Sequence, residues 1–132
     1  MQGWPPGEAD LYAPSLLACY DRGGWFMGLF DEENLIGIVV LDSEFLGANS
    51  DLLQLKFLHL SRKYRHQGIG KQLFELARIE AVNRGAKGMY ISATPSENTV
   101  HFYRHLGCIL AKTPDPELFD LEPEDIHLIY SF

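Results

Sequence analysis

The 132-residue chain reads as a mixed, mainly antiparallel sheet of about six strands with flanking helices, an α/β (α+β) arrangement. Apolar runs of strand length recur along it, and two amphipathic runs with helical spacing interrupt them. Clusters of Gly, Pro, Asn and Asp separate the two kinds of run. Strand and helix signals do not alternate regularly, so a repeating parallel barrel is not expected.

The opening Trp4-Pro5-Pro6-Gly7 precedes an expected helix from Glu8 to Tyr20, started or interrupted at Pro14 and closed by Arg22-Gly23-Gly24. Trp25 to Phe30 and Leu35 to Leu41 read as two strands joined by Asp31-Glu32-Glu33-Asn34, which is turn chemistry for a hairpin. After a loop at Gly47 to Asp51 comes a long strand, Leu52 to Leu60, with Leu53, Leu55 and Phe57 alternating against Gln54 and Lys56. The run from Ile69 to Arg84 predicts a helix with Ile69, Leu73, Leu76, Ala77 and Glu80 along one stripe, stopped at Gly85. Met89 to Ala93 is almost wholly apolar, as expected of a strand buried on both faces. Thr94-Pro95-Ser96 turns the chain into a short helix, Asn98 to Leu106, ended by Gly107. Cys108 to Ala111 is a strand, Thr113 to Asp125 a proline-rich acidic loop, and Ile126 to Phe132 the last strand.

Length and composition indicate a single domain with a real core. The formal net charge is −7, which argues against nucleic acid, whose partners usually carry a basic face. No window approaches the roughly 18 apolar residues that span a bilayer, and no signal peptide is visible, so no membrane partner is expected. Cys19 and Cys108 are too few for a disulfide framework; reduced thiols and a cytoplasmic location are the default.

The most informative stretch is Tyr64-Arg65-His66-Gln67-Gly68-Ile69-Gly70-Lys71, lying between a strand and a helix. Glycines let the backbone approach a ligand, and the first helical turn holds N–H groups with no internal partner. Together they read as an anion cradle suited to a phosphate or pyrophosphate, the alternative being a solvated basic loop with ordinary turn glycines. Lys56, Arg62, Lys63, Arg65 and Lys71 surround it with no Asp or Glu from Lys56 to Lys71, a basic island on an acidic chain. A P-loop would need glycine at Arg65 and Ser or Thr at Gln72, and a dinucleotide fingerprint needs three glycines and a following acid. Both fail. His101 and His105 stand at i and i+4 on a helix but lack a third ligand, so no metal is expected.

A second stretch, Ser96 to Gly107, places Asn98 ahead of Phe102-Tyr103 and Leu106-Gly107. With both stretches, the chain resembles the GNAT superfamily of acyl-CoA-dependent N-acyltransferases. The family's Arg/Gln-x-x-Gly-x-Gly/Ala loop is matched by Arg65-His66-Gln67-Gly68-Ile69-Gly70, and its later Asn, aromatic-Tyr and Leu-Gly by Asn98, Phe102-Tyr103 and Leu106-Gly107. The resemblance covers roughly residues 25–132, a GNAT-like core after a short N-terminal helical segment, residues 1–24.

The resemblance implies acetyl transfer from acetyl-CoA, as acyl donor, to a primary amine of a small molecule or peptide. The cosubstrate would lie in a V-shaped cleft where Leu52–Leu60 and Met89–Ala93 splay apart. Backbone near Leu58 to Leu60 would pair with the pantetheine arm, and His66 to Lys71 would hold the pyrophosphate. Asn98 would hydrogen-bond the arm, and Arg104 would approach the adenosine phosphate. Tyr103 would be the general acid, since a phenol of pKa about 10 stays protonated at neutral pH. The chain departs from the family at Gln54, where a glutamate base is common. His59, whose imidazole class has an ordinary pKa of about 6.5, Glu44, Asp51 or a water chain are alternatives, and an amine that arrives neutral needs no base. The N-terminal part also reads as short for the family, which leaves the acceptor pocket and a sheet edge for a partner subunit to complete; a homodimer is the expected assembly. Asp115, Glu117, Asp120, Glu122, Glu124 and Asp125 form either a solvated face or a rim that steers a cationic amine. The alternative function is an acyl-CoA-binding sensor with an incomplete acceptor site.

Overall fold

The computed structural model describes residues 16–112, 114–121 and 124–132. Most of the expected first helix therefore lies outside the described residues; residues 16–21 are helical (α1). Six strands follow: β1 (Trp25–Asp31), β2 (Asn34–Leu46), β3 (Leu52–Leu60), β4 (Gly88–Ala93), β5 (Ile109–Leu110) and β6 (Ile126–Ser131). Helix α2 (Ile69–Asn83) joins β3 to β4, α3 (Glu97–His105) joins β4 to β5, and α4 (Pro116–Leu121) joins β5 to β6. The sheet order is β1-β2-β3-β4-β6-β5. Every neighbouring pair is antiparallel except β3 with β4, so the mixed, mainly antiparallel expectation holds.

One face of this sheet makes the main core. Val39, Leu41, Leu53, Leu55, Met89, Ile91, Ala93 and Leu128 pack beneath Leu73, Phe74, Ala77 and Ala81 of α2 and Tyr103 of α3. The α2 stripe differs from the expected one: Phe74 and Ala81 are buried, whereas Leu76 is 40% exposed. The sheet sits under the side of the helix that runs Leu73–Ala77–Ala81, and Leu76 falls a hundred degrees off it.

A bulge corrects the reading of β3. Val40 pairs with Phe57 but Leu41 pairs with Leu55, so Lys56 is an extra residue on β3. Directly opposed residues share a face, and one inserted residue exchanges faces beyond it. Leu53 and Leu55 lie on the core face, and past the bulge Leu58 and Leu60 take that face while Phe57 and His59 turn to the other. Phe57 therefore does not share a face with Leu53 and Leu55.

Strand β2 runs longer than its apolar stretch. Asp42-Ser43-Glu44 reads as a strand end, yet Asp42 is 4% exposed because Arg22 neutralises it. Its carboxylate accepts from Arg22 Nε (2.9 Å) and the Ser43 N–H (2.7 Å), with Lys56 Nζ at 3.9 Å. Burial alone would push the Asp42 carboxyl up. The Arg22 and Ser43 hydrogen bonds and the two cations outweigh that and hold it below the ordinary carboxylate range. This contact pins the end of α1 to the second face of the sheet. The acidic loop also differs from expectation, because Asp115 Oδ1 accepts from the Glu117 and Leu118 N–H groups (3.1 Å each) and starts α4.

Candidate active site

Strands β3 and β4 pair only at Leu52–Gly88, Leu53–Met89 and Gln54–Tyr90. Beyond Gln54, β3 continues to Leu60 and β4 to Ala93 without pairing to each other. The two parallel strands therefore splay, as the resemblance implied. Among the described residues no strand lies beside the β4-facing edge of β3 from Leu55 onward, an edge to which an extended ligand can add. Leu58 is half-buried and Leu60 buried, both on the core face.

At the end of β3 the chain makes a single 3₁₀ turn, Arg62–Tyr64, and then the cradle. The Tyr64 hydroxyl bonds the Asp31 carboxylate of the β1–β2 hairpin, which ties the turn to the sheet. Arg65 Nε donates to the Leu60 carbonyl (2.9 Å), folding its side chain back onto the strand end. His66 adopts φ 65°, and the Gln67 amide donates to the Lys63 carbonyl (3.2 Å). Gly68 is the residue before α2, at φ 78°, and a Cβ there would meet nothing within 4 Å. The space before it is open, and left-handed φ suits glycine.

No side chain caps α2, and its first turn holds no acid. The first helical bond runs from the Gln72 N–H to the Gly68 carbonyl (3.2 Å), so the N–H groups before it are left for a ligand. Ile69 is half-buried and Lys71 exposed. A Cβ at Gly70 would lie 3.2 and 3.3 Å from Phe102 ring atoms, so the cradle rests against α3. Of the basic island, Lys56 is placed apart, toward Asp42, and Lys63 lies over the Tyr64 ring at 5.2 Å.

Helix α3 starts at Ser96, whose hydroxyl accepts from the Thr99 N–H (3.2 Å). Asn98 is exposed on its first turn, and Tyr103 is buried, its ring centroid 6.3 Å from that of Phe74. Burial, with a smaller push from Cys108, raises the Tyr103 phenol above its ordinary value. Burial pushes the Cys108 thiol up to about 12. Gly107, at φ 106°, ends α3, its N–H bonding the Arg104 carbonyl (3.0 Å) while the Cys108 N–H bonds that of Tyr103 (3.1 Å). Arg104, His101 and His105 are exposed. Among the described residues no group of three His, Cys, Asp or Glu could hold a metal, and no helix is long and apolar enough to cross a membrane.

The opposite face of the sheet holds Gln54, already singled out in the sequence, together with Asp42, Tyr90 and His127, which the sequence reading passed over. Asp42, Gln54 and His127 are the buried polar residues among those described, at 4%, 7% and 5% exposure, and Tyr90 lies with them at 2%. Gln54 pairs with Tyr90, and His127 pairs with Ser92 two residues further along β4. The four form one row across β2, β3, β4 and β6 at the point where β3 and β4 part. His127 carried a signal, an imidazole set between Ile126 and Leu128 in an otherwise apolar strand.

The profile of the Acetyltransferase (GNAT) family matches residues 2–108, and the chain belongs to that family. No curated protein matches the chain. Solved structures show the same fold. A GNAT family acetyltransferase from Elizabethkingia anophelis, with acetyl-CoA bound, is 21% identical, with 100% of this chain and 94% of that one covered and a TM-score of 0.69. The PaiA N-acetyltransferase of Thermoplasma acidophilum, in complex with coenzyme A, is 21% identical over 98% of this chain and 80% of that one, with a TM-score of 0.69. A GNAT family acetyltransferase from Staphylococcus aureus Mu50 reaches a TM-score of 0.76 at 17% identity, covering 96% and 80%.

Proposed function

We propose that the chain is an N-acetyltransferase carrying the acetyl group of acetyl-CoA to a primary amine of a small molecule or peptide, with Tyr103 as general acid. The carrying observation is an open strand edge that ends in an uncapped helix start. Coenzyme A has the matching order, an amide-bearing arm followed by a pyrophosphate. The edge at Leu58 and Leu60 takes the arm, the N–H groups of His66, Gln67, Gly68, Ile69, Gly70 and Lys71 take the pyrophosphate, Arg65 braces the turn, and Asn98 adds a contact to the arm. The coenzymes in the Elizabethkingia and Thermoplasma structures support the same ligand here.

The thioester supplies an activated acyl group; the rest falls to the chain. Tyr103, raised by burial, keeps its proton throughout the working pH range. Handing that proton to a thiol of ordinary pKa about 8.5 is uphill. Tyr103 therefore acts first as a hydrogen-bond donor and completes the transfer as charge builds on the leaving sulfur. The amide of Gln54 cannot take up a proton usefully, so the amine attacks in its neutral form. Exposed Glu117, Asp120 and Glu124 favour a cationic acceptor arriving from solution. Buried, free Cys19 and Cys108 suit a cytoplasmic setting. Edge strand β5, with Ile109 and Leu110 exposed, is where we place a second copy; sedimentation showing only monomers would remove it.

Calorimetry with acetyl-CoA and release of free thiol over a panel of amines test the reading. Tyr103→Phe should lower kcat about 100-fold with cofactor affinity changed less than about twofold. Equal turnover in the variant would remove Tyr103 from the reaction. Tight acetyl-CoA uptake without turnover of any amine would mark the chain as a sensor instead.

A further inference from the structure

The Tyr90–His127 pair leaves one hydrogen-bonding atom unaccounted for. The Asp115 backbone N–H donates to the Tyr90 hydroxyl oxygen (2.8 Å), and that hydroxyl meets His127 Nδ1. A phenol carries one proton, so the arrangement that satisfies all three groups has Tyr90 donating to Nδ1. The remaining ring proton then sits on Nε2. That atom is buried and has no partner among the described residues. A buried donor left open marks a place for an acceptor atom.

Its charged neighbours are already engaged. Asp115 caps α4, and Asp125 accepts from the Ser92 hydroxyl (2.8 Å). Phe119 of α4 stands against the imidazole, ring centroids 6.1 Å apart. Across the sheet, the Gln54 amide lies where β3 and β4 part, and it makes no hydrogen bond to a described residue. Two strand spacings and two residues separate Gln54 from His127, a Cα distance of about 12 Å, and both side chains rise from the same face of the sheet.

We infer that the Gln54 amide and His127 Nε2–H form a two-point station for an acceptor whose amine lies next to a carbonyl or carboxylate oxygen, an aminoacyl group. The Gln54 carbonyl accepts from the amine, and Nε2–H donates to the oxygen. Tyr90 is a positioning residue that fixes the imidazole tautomer. The inference rests on the acetyl-transfer reading, whose substrate class it narrows.

Two measurements separate the failures. Nitrogen NMR of the imidazole, on protein saturated with coenzyme A, should show the Nε2–H tautomer, with Nε2 shifting on addition of alanine amide and not of propylamine. No shift with alanine amide, or the same shift with both, overturns the station whether or not acetyl transfer occurs. In turnover, alanine amide should be preferred to propylamine by about tenfold or more in kcat/KM. His127→Phe should abolish that preference by raising the KM for alanine amide about tenfold more than that for propylamine, with acetyl-CoA affinity within about twofold, and His127→Gln, which restores an N–H, should recover part of it. Equal losses for both amines in His127→Phe would overturn the inference in favour of a structural role. Failure to take up acetyl-CoA would instead sink the transfer reading.

Discussion

Asp42 shows how one side chain sets the limits of its neighbourhood. Its carboxylate is buried on the second face of the sheet, held by Arg22 and Lys56, and removing one partner of such a group strands the others. Asp42→Asn should cost about 2–3 kcal/mol, read as a lower denaturant midpoint at unchanged slope. A carboxyl whose folded pKa is depressed contributes stability that is complete above its unfolded pKa, about 3.9, and lost as pH falls through the folded value. The wild type should therefore lose this part of its stability below about pH 4, and the variant should show a shallower acid limb there. Tyr103 has the opposite shift and a different consequence. A phenol raised by burial should give no descending limb in the kcat–pH profile up to about pH 10; a fall near pH 9 would remove it as the donor. The glycine turn before α2 and the helix that carries Tyr103 were legible because short local patterns encode them. Asp42, Gln54 and His127 were not assembled from sequence, since their proximity depends on strand order and register.

Strand β3 explains both the success and the errors at the next level. Its ends were legible from the apolar run between Asp51 and Ser61. Its faces were not, because a bulge at Lys56 has no marker in the sequence and exchanges sides for Phe57 through Leu60. Helix α4 was hidden for a similar reason: Pro114, Pro116 and the acids read as loop, whereas Asp115 caps a helix start and Pro116 takes its first position. The contact between α2 and α3 yields a separable prediction. Gly70→Ala gains helix propensity, about 1 kcal/mol, while its Cβ crowds Phe102. Thermal stability should change little, and the KM for acetyl-CoA should rise about threefold to tenfold as the cradle is displaced; an unchanged KM would show that the cradle tolerates the shift.

The molecule as a whole divides by face. Core residues and α2 with α3 occupy one side of the sheet, and a polar row with α1 and α4 the other, so donor and acceptor machinery can be built on opposite walls of one cleft. Its charge divides too: the net value is −7, yet the cradle region is basic. Attraction of an anionic cosubstrate to a local basic patch weakens with salt, because the Debye length is about 10 Å at 0.1 M and shorter above it. The KM for acetyl-CoA should therefore climb severalfold between about 50 and 500 mM salt, with kcat steady; a flat KM would assign the affinity to backbone contacts alone. The parting of β3 from β4 has another effect. Among the described residues it leaves a stretch of β3 with no β4 pairing inside a folded protein, an edge to which an extended chain can add. The amide-bearing arm that we place along this edge would thus also be its cork: stored without coenzyme A the protein should clump, as light scattering would register, and a saturating dose should keep it dispersed.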